Sequence, residues 1–547
     1  MYRRQFLHSA LCGSLLYGVG GIPGLVRESF AAFEPIQEKF LVNLFLDGGP
    51  DIRHFIVPAY DPNPNSFGNN YWQHRWRAHS LTADEATWQQ RWENDFYPIT
   101  IGGDNWNSSL VNLAPGNRNN GVTFGIWKQA GWLIDMFREG KVALVCNAAG
   151  GRDRAHDLAS LQMHQGNLLS GLNDTARSGW GGRLARSANG NSLAVTNSPL
   201  PFAFGPAGPQ NNYDPNTIDN QFLVSVQNSR EIGLNEAPLE IDQQFRPQER
   251  MARTLKNYYQ GIRSEQLSET YQKFQDHEQN VRLFGALIQD RLSDLPEPDL
   301  IRLLRTTRDE NDNEILINGQ IANPGSDGSS RRILRNGFEF GAQIRNVYDV
   351  LAANELLNVR TVSMNYRGWD SHGEQRQNAA NPDLNDPDLD RGIESGFQDI
   401  FGGQTGVNPS DPQALHYGFS ALWASLAPVD RQKMVMTVSG EFGRQIRDNG
   451  DAGTDHGIGN IMFVIGDSVN GGIYGELFQE AEIEKYDNLE LRTPDIDALT
   501  DLDPLFARVC DWVEPSSGEQ VFPRTASSFS GELPALEIPG MFTELLS

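Results

Sequence analysis

The chain is short of positive charge, of cysteine and of long apolar runs, and each shortage excludes something. Its 45 Lys and Arg stand against 70 Asp and Glu, a formal net charge of -25 with a pI near 4.8. Such a balance leaves no basic face for a phosphate backbone, so nucleic acid is excluded as a partner. Only three cysteines occur. Cys12 lacks the small preceding residue that a lipid-attachment site needs. Cys146 and Cys510 could form one disulfide, but Cys146 ends the apolar run Val142-Ala-Leu-Val-Cys146, where a buried free thiol is the expected state. Neither paired cysteines nor a cofactor fingerprint is present, which removes a redox role. No stretch reaches the roughly 20 consecutive apolar residues of a membrane-spanning helix. The nearest, Leu11 to Val26, is broken by Gly13, Gly18, Gly20, Gly21 and Pro23. There is no internal repeat.

That glycine-rich stretch has its own meaning. The chain opens Met1-Tyr-Arg-Arg-Gln-Phe-Leu-His8, and a small-residue run around Ser29-Phe-Ala-Ala32 follows the apolar middle. A charged start, a short apolar middle and a small-residue cut site define a removable signal of the twin-arginine type. Tyr2 and His8 depart from its usual residues. The reading predicts a signal over residues 1–32, cleavage near Ala31 or Ala32, the twin-arginine translocase as a partner during export, and a periplasmic or extracellular protein with no stable membrane span afterwards.

The remainder, 33–547, reads as a single α/β domain with insertions near 60–135 and 240–331. Short apolar runs bounded by turn residues predict strands buried on both faces: Leu41 to Leu46, Val142 to Cys146, Arg360 to Met364, Met434 to Val438 and Ile461 to Ile465. Between them, Ile333 to Leu357 and Ala414 to Leu426 carry apolar residues at helical spacing. Strands alternating with helices imply functional loops at the carboxyl ends of the strands. The first insertion holds seven of the eleven tryptophans, Trp72, Trp76, Trp88, Trp92, Trp106, Trp127 and Trp132. They form either buried aromatic packing, the favoured reading, or a sugar-stacking platform. Residues 247–298 read as polar amphipathic helices. Asp309, Asn311 and Asn313 mimic a calcium loop, but Glu314 stands where its glycine belongs. The acidic run Asn381 to Asp390 reads as a solvated turn.

Chemistry concentrates at the strand ends. Gly368-Trp-Asp-Ser-His-Gly373 follows one strand, and in an extended loop Asp370 and His372 point the same way. Ser439-Gly-Glu-Phe-Gly-Arg444 follows the next, offering Glu441 as a ligand and Arg444 as a clamp for an anionic group. Gly453-Thr-Asp-His-Gly457 precedes the last, and of Asp455 and His456 one serves as a ligand and the other as a ligand's hydrogen-bonding partner. Asp47-Gly-Gly-Pro-Asp51 adds Asp47 or Asp51 after the first strand. Gly150-Gly-Arg-Asp-Arg-Ala-His156 brings Arg152, Asp153, Arg154 and His156 to the same edge. Mixed oxygen and nitrogen donors suit a divalent zinc, manganese or iron ion better than calcium.

These stretches, with Gly179-Trp-Gly-Gly-Arg183 and Asn470-Gly-Gly-Ile-Tyr-Gly475, resemble in content and order the bacterial family called domain of unknown function 1501 (DUF1501). That family is in turn similar to the alkaline-phosphatase and sulfatase superfamily. The resemblance implies a three-layer sandwich with a mostly parallel central sheet. It also implies a pair of metal ions on Asp47 or Asp51, Asp370, His372, Glu441 and His456, and hydrolysis of a phosphate or sulfate ester. This chain departs from the pattern twice. Phe442 stands where the superfamily has His, and Ala155 where many relatives have a Ser that could act as nucleophile. No Cys/Ser-X-Pro-X-Arg setting for a sulfatase nucleophile occurs. The second expectation is therefore a non-catalytic exported protein that binds a glycan or a cell-surface partner on a decayed hydrolase scaffold.

Overall fold

The computed structural model describes residues 38–196, 199–210, 212–219, 223–226, 292, 316–317, 320–321, 330–376, 392–403, 418–488, 491 and 494–523. The signal segment, the region 247–298 apart from Leu292, the calcium-like loop and the acidic run lie outside them. The chain divides into two compact units, one of residues 35–227 with 297–547 and the other of 1–34 with 228–296. The fold below is that of the first.

All five expected strands form and lie in one sheet, which has ten strands among the described residues. In chain order they are β1 (Phe40–Asp47), β2 (Val111–Leu113), β3 (Val142–Ala149), β4 (Asn191–Ala194), β5 (Leu223–Ser225), β6 (Val359–Arg367), β7 (Met434–Gly440), β8 (Gly459–Ile465), β9 (Gly472–Tyr474) and β10 (Thr500–Asp501). Their spatial order is β2-β9-β3-β8-β7-β1-β6-β4-β5, with β10 beside β3. β1 is central and parallel to both neighbours, Leu44 standing level with Met364 on one side and with Val438 on the other.

Helices cover both faces because residues alternate across each strand. Leu41 and Phe45 of β1 and Met462 and Val464 of β8 enter one core cluster with Trp180 and Leu184 of α3 (Trp180–Ser187) and with Leu505, Phe506 and Val509 of α7 (Leu502–Val513). Phe463, between Met462 and Val464, faces the opposite way and meets Phe397 and Phe401 of α5 (Ile393–Phe401). The expected helix over 333–357 is α4 (Ser330–Ala352) followed by a separate turn Asn354–Leu357, and the later one is α6 (Gly418–Ser425) among the described residues.

The sheet is mixed: most neighbouring strands run parallel, and among the described strands β8 alone is reversed. β8 runs antiparallel to β7 and to β3. Its residues are all buried, and burial on both faces reports that both are covered, not which way a strand runs. The reversal matters for the site. A loop that precedes an antiparallel strand lies at the same sheet edge as loops that follow parallel strands, so Gly453 to Gly457 comes to the carboxyl ends of β1, β6 and β7.

The tryptophan-rich stretch forms a small antiparallel sheet of Ile56–Pro58, Thr123–Trp127 and Phe96–Thr100 with helices α1 (Phe67–Arg75) and α2 (Glu85–Asp95). Its Trp72, Trp88, Trp127 and Trp132 are buried, and Trp76, Trp92 and Trp106 are half-buried. Packing therefore takes up most of the surface of these rings. Cys146 and Cys510 are both buried free thiols, and burial pushes the Cys146 pKa up to about 12. Among the described residues no helix is long and apolar enough to cross a membrane.

Candidate metal centre

Glycine lets the loops meet. Gly48, at φ +121°, could not carry a side chain, because a Cβ there would stand 2.4 Å from the Asp370 nitrogen. At Gly453 a Cβ would stand 2.3 Å from the His372 carbonyl carbon. The turn after β1 thus packs on the Asp370 loop, and the loop before β8 packs on His372.

Asp370 lies at the centre of what converges. Its Oδ1 is 3.1 Å from His372 Nε2 and 3.1 Å from His456 Nε2, and those two nitrogens are 2.9 Å apart. Its Oδ2 is 3.4 Å from His156 Nε2. Ligand atoms of His156, Asp370 and His456 all fall within 4.8 Å of one another.

The far side of each ring decides what the near side offers. His456 Nδ1 is 2.8 Å from the Arg154 carbonyl oxygen, His372 Nδ1 is 2.9 Å from Asp455 Oδ1, and His156 Nδ1 is 2.8 Å from Glu441 Oε1. A carbonyl can only accept, and so can a carboxylate, so each Nδ1 carries the hydrogen and each neutral ring turns an Nε2 lone pair toward Asp370. Lone pairs converging at about 3 Å repel unless a proton or a metal cation lies among them. Nitrogen and oxygen ligands bonded at about 2.1 Å to one ion stand about 3.0 Å apart at right angles and about 3.4 Å apart at tetrahedral angles. The observed spacings match that range, and a His held from behind by a carboxylate or carbonyl is the usual arrangement of a metal ligand. The donor set fits a divalent ion.

Burial works against ionisation of Asp370, but contacts with His456 and Arg444 outweigh it and hold the carboxyl well below the ordinary carboxylate range. Burial likewise opposes ionisation of Asp455, and its hydrogen bonds from Asn449 and His372 outweigh that. The bond to Glu441 raises the His156 pKa. Asp47 is shifted up, first by burial and then by Glu441.

The remaining expected residues divide. Glu441 is fully buried at the border of the centre; its Oε1 accepts the Gly48 N–H at 2.9 Å as well as His156, and its Oε2 has no hydrogen-bond partner. Asp47 is part-exposed, 3.8 Å from Arg367 Nε. Asp51 is drawn away into a buried two-oxygen pair with Arg75 Nη1 at 2.9 and 2.7 Å. Arg444 is not placed to clamp an incoming anion. It is buried, and it donates to the carbonyls of Gly49 (2.6 Å), Thr454 (2.8 Å), Gly48 (2.5 Å) and Trp369 (2.9 Å) and to Asp370 Oδ1 (2.9 Å). Asp455 stands behind His372 rather than behind its neighbour His456. Ser178, a hydroxyl downstream of Ala155, is buried and donates to the Pro215 carbonyl.

Three contributors were not legible beforehand. Arg154 acts through its backbone carbonyl, while its side chain pairs with Asp495. Asn449 Nδ2 bonds the His372 carbonyl at 2.7 Å and Asp455 Oδ1 at 3.1 Å. Gln375 ties several loops from beneath. No residue pattern announces a carbonyl or an amide in such a role.

A buried mixed sheet with histidines and a carboxylate gathered at one edge defines a class, an α/β protein with a candidate metal centre on its strand-end loops. A family model described as protein of unknown function (DUF1501) matches residues 349–488, which span Asp370, His372, Glu441, Arg444, Asp455 and His456, and it supports the family resemblance of those motifs. No curated protein and no solved structure matches the chain.

Proposed function

We propose that this is an exported, metal-dependent hydrolase-like protein acting on a phosphate or sulfate ester, built on an alkaline-phosphatase-like scaffold. The observation that supports it is the convergence of three imidazole Nε2 atoms on Asp370, each ring held by an acceptor on its Nδ1. Asp370, His372, His456 and His156 would hold a zinc, manganese or iron ion. Such an ion supplies Lewis-acid stabilisation of the ester's anionic oxygens and of its leaving oxygen. The protein's own part is to orient these rings through Asp455, the Arg154 carbonyl and Glu441, and to keep Asp370 ionised. The N-terminal end of the helix that begins at His156 adds its partial positive charge on the same side. Glu441 Oε2 is buried beside His156 without a hydrogen-bond partner. Arg3 and Arg4 support export by the twin-arginine route, which moves folded protein and so would carry a metal chosen in the cytoplasm.

Ala155 and Phe442 favour a second reading, a non-catalytic scaffold that binds a partner. Ala155 supplies no hydroxyl at the start of the helix, and Phe442, which packs against both the His156 and His456 rings at centroid distances of 5.0 and 4.4 Å, brings an apolar ring where a His would bring a ligand.

Metal analysis by plasma mass spectrometry of protein purified without chelator, alongside turnover of nitrophenyl phosphate and nitrophenyl sulfate, tests both. The expected result is bound divalent metal that is lost in Asp370→Ala and His456→Ala with the fold intact. Protein that takes up no zinc, manganese or iron sinks the metal reading. Metal without turnover of either ester leaves the scaffold reading.

A further inference from the structure

The ligands of the centre come from separate loops, and such loops hold ligand spacing only if something buried fixes them to one another. Gln375 does this with its whole amide. It is 2% exposed. Its Nε2 donates to Asp51 Oδ2 at 3.0 Å and to His54 Nδ1 at 3.0 Å. Its Oε1 accepts from Thr454 Oγ1 at 3.1 Å and from Ser371 Oγ at 3.4 Å. The backbone adds two more ties, from Gln375 N to the Ala452 carbonyl and from Ile393 N to the Gln375 carbonyl, both at 2.9 Å.

The partners are placed tellingly. Ser371 lies between Asp370 and His372, Thr454 directly precedes Asp455 and His456, and Asp51 belongs to the turn after β1. Asp51 is itself fixed by Arg75, which also donates to the carbonyls of Ile446 and Gln445 in the loop that leads to Asp455. The orientation of the amide is not free either. His54 Nε2 faces the Glu394 carboxylate at 3.0 Å, so its Nδ1 is the lone-pair side and must receive an N–H.

We propose that Gln375 is a positioning residue for the metal centre, which sets the placement of the Asp370–His372 loop against the Asp455–His456 loop through Ser371, Thr454 and Asp51. This rests on the metal reading above. Chemistry at the position requires an amide. A carboxylate of the same shape would face the Asp51 carboxylate with no hydrogen between them, and an apolar side chain would leave Asp51, His54, Ser371 and Thr454 each one partner short.

The test uses the full chain, stripped of metal, in four forms besides wild type: Gln375→Glu, Gln375→Leu, Thr454→Val and Arg183→Leu. Arg183 is buried far along the chain and bonds the carbonyls of Val521, Ser178 and Gln165, so its loss weakens the fold without touching these loops. Zn2+ affinity is read by chelator competition and ligand geometry by the visible absorption of the Co2+ form. Replacing a residue that orients ligands from behind weakens metal binding by about 10–100-fold, which is the loss expected for both Gln375 variants together with altered Co2+ bands. Thr454→Val, which removes one of the four side-chain bonds, is expected to weaken Zn2+ binding less, and it decides the matter where a Gln375 variant does not fold. Arg183→Leu is expected to lower the melting temperature with Zn2+ affinity and Co2+ spectrum unchanged. Folded Gln375 variants, or folded Thr454→Val in their place, that keep wild-type Zn2+ affinity and the wild-type Co2+ spectrum overturn the proposal. Wild-type protein that binds neither ion overturns the metal reading beneath it, a distinct result.

Discussion

Replacing Arg444 by Met separates a structural role from an anion-binding one. In the folded chain the guanidinium donates to four backbone carbonyls, drawn from the turn after β1, the Asp370 loop and the loop before β8, and to one carboxylate oxygen. Met fills most of the volume but donates nothing, so five acceptors lose their partner. Each buried acceptor left alone costs about 1–3 kcal/mol at most. The sum overshoots, because a loosened loop edge admits water to some of them and Asp370 is itself 46% exposed, which leaves about 3–5 kcal/mol from the buried carbonyls. That range is the expected loss, a large share of the roughly 5–15 kcal/mol that holds a domain together. Arg444→Lys, with three donors on one nitrogen, is expected to lose roughly half as much. Urea unfolding followed by tryptophan fluorescence reads the change as a shift in midpoint at constant slope. If Arg444→Met loses less than about 1 kcal/mol while binding of phosphate or sulfate esters collapses, the carbonyl-tying account is wrong and the clamp account stands.

Stability should also respond to pH through His164, whose pKa burial lowers to about 3. The unfolded chain takes up the proton near pH 6.5 and the folded chain only near 3, so this group's contribution is complete above 6.5 and falls by about 1.4 kcal/mol per pH unit below it. Metal-free His164→Phe, which keeps a ring against Phe45, is expected to lose that part of the acid slope between pH 6 and about 4.5; an unchanged slope in urea titrations refutes it. The Arg183→Leu control is expected to lose about 3–5 kcal/mol, since three carbonyls share that buried guanidinium; a loss within about 0.5 kcal/mol of zero removes it as a control.

Strand existence was legible because five apolar runs are long enough to be read against turn residues, and all five lie in the main sheet. The short strands β2, β4, β5, β9 and β10 have two to four residues each, too few for any period to show. Direction was legible only in part, because nothing in the apolar runs marks the one reversed strand. Val464 and Val438 read alike in sequence, yet β8 opposes β7. The ligand types were legible from strand-end position, and Asp370, His372, His156 and His456 do converge. Their division of labour was not, since it depends on which partner sits behind each ring. Asp51 and Arg444 show the limit most plainly. A carboxylate and a guanidinium near a site look like site chemistry in sequence, and only the third dimension reveals that Arg75 and four carbonyls have already taken them.

Ala155 is where fold and function can be pulled apart. It occupies the N-cap of the helix His156–Gln165 with φ -88° and ψ 123°, a backbone a capping residue adopts, yet it offers no side-chain acceptor. A Ser at such a position accepts from an N–H of the first turn and stabilises a helix by about 0.5–2 kcal/mol relative to Ala. Ala155→Ser is therefore expected to raise stability by roughly 1 kcal/mol, whatever the protein does. The same change puts a hydroxyl one residue before His156. If the chain is a hydrolase that lacks only this group, nitrophenyl phosphate should leave a phosphoryl group on Ser at position 155 as nitrophenolate departs, detectable by intact-mass spectrometry as a substoichiometric or full adduct. A stability gain with no adduct, in metal-loaded protein, assigns the lost hydroxyl to a lost cap and favours the scaffold reading. No stability gain at all contradicts the N-cap assignment itself, because the backbone there is already in the conformation that the cap requires.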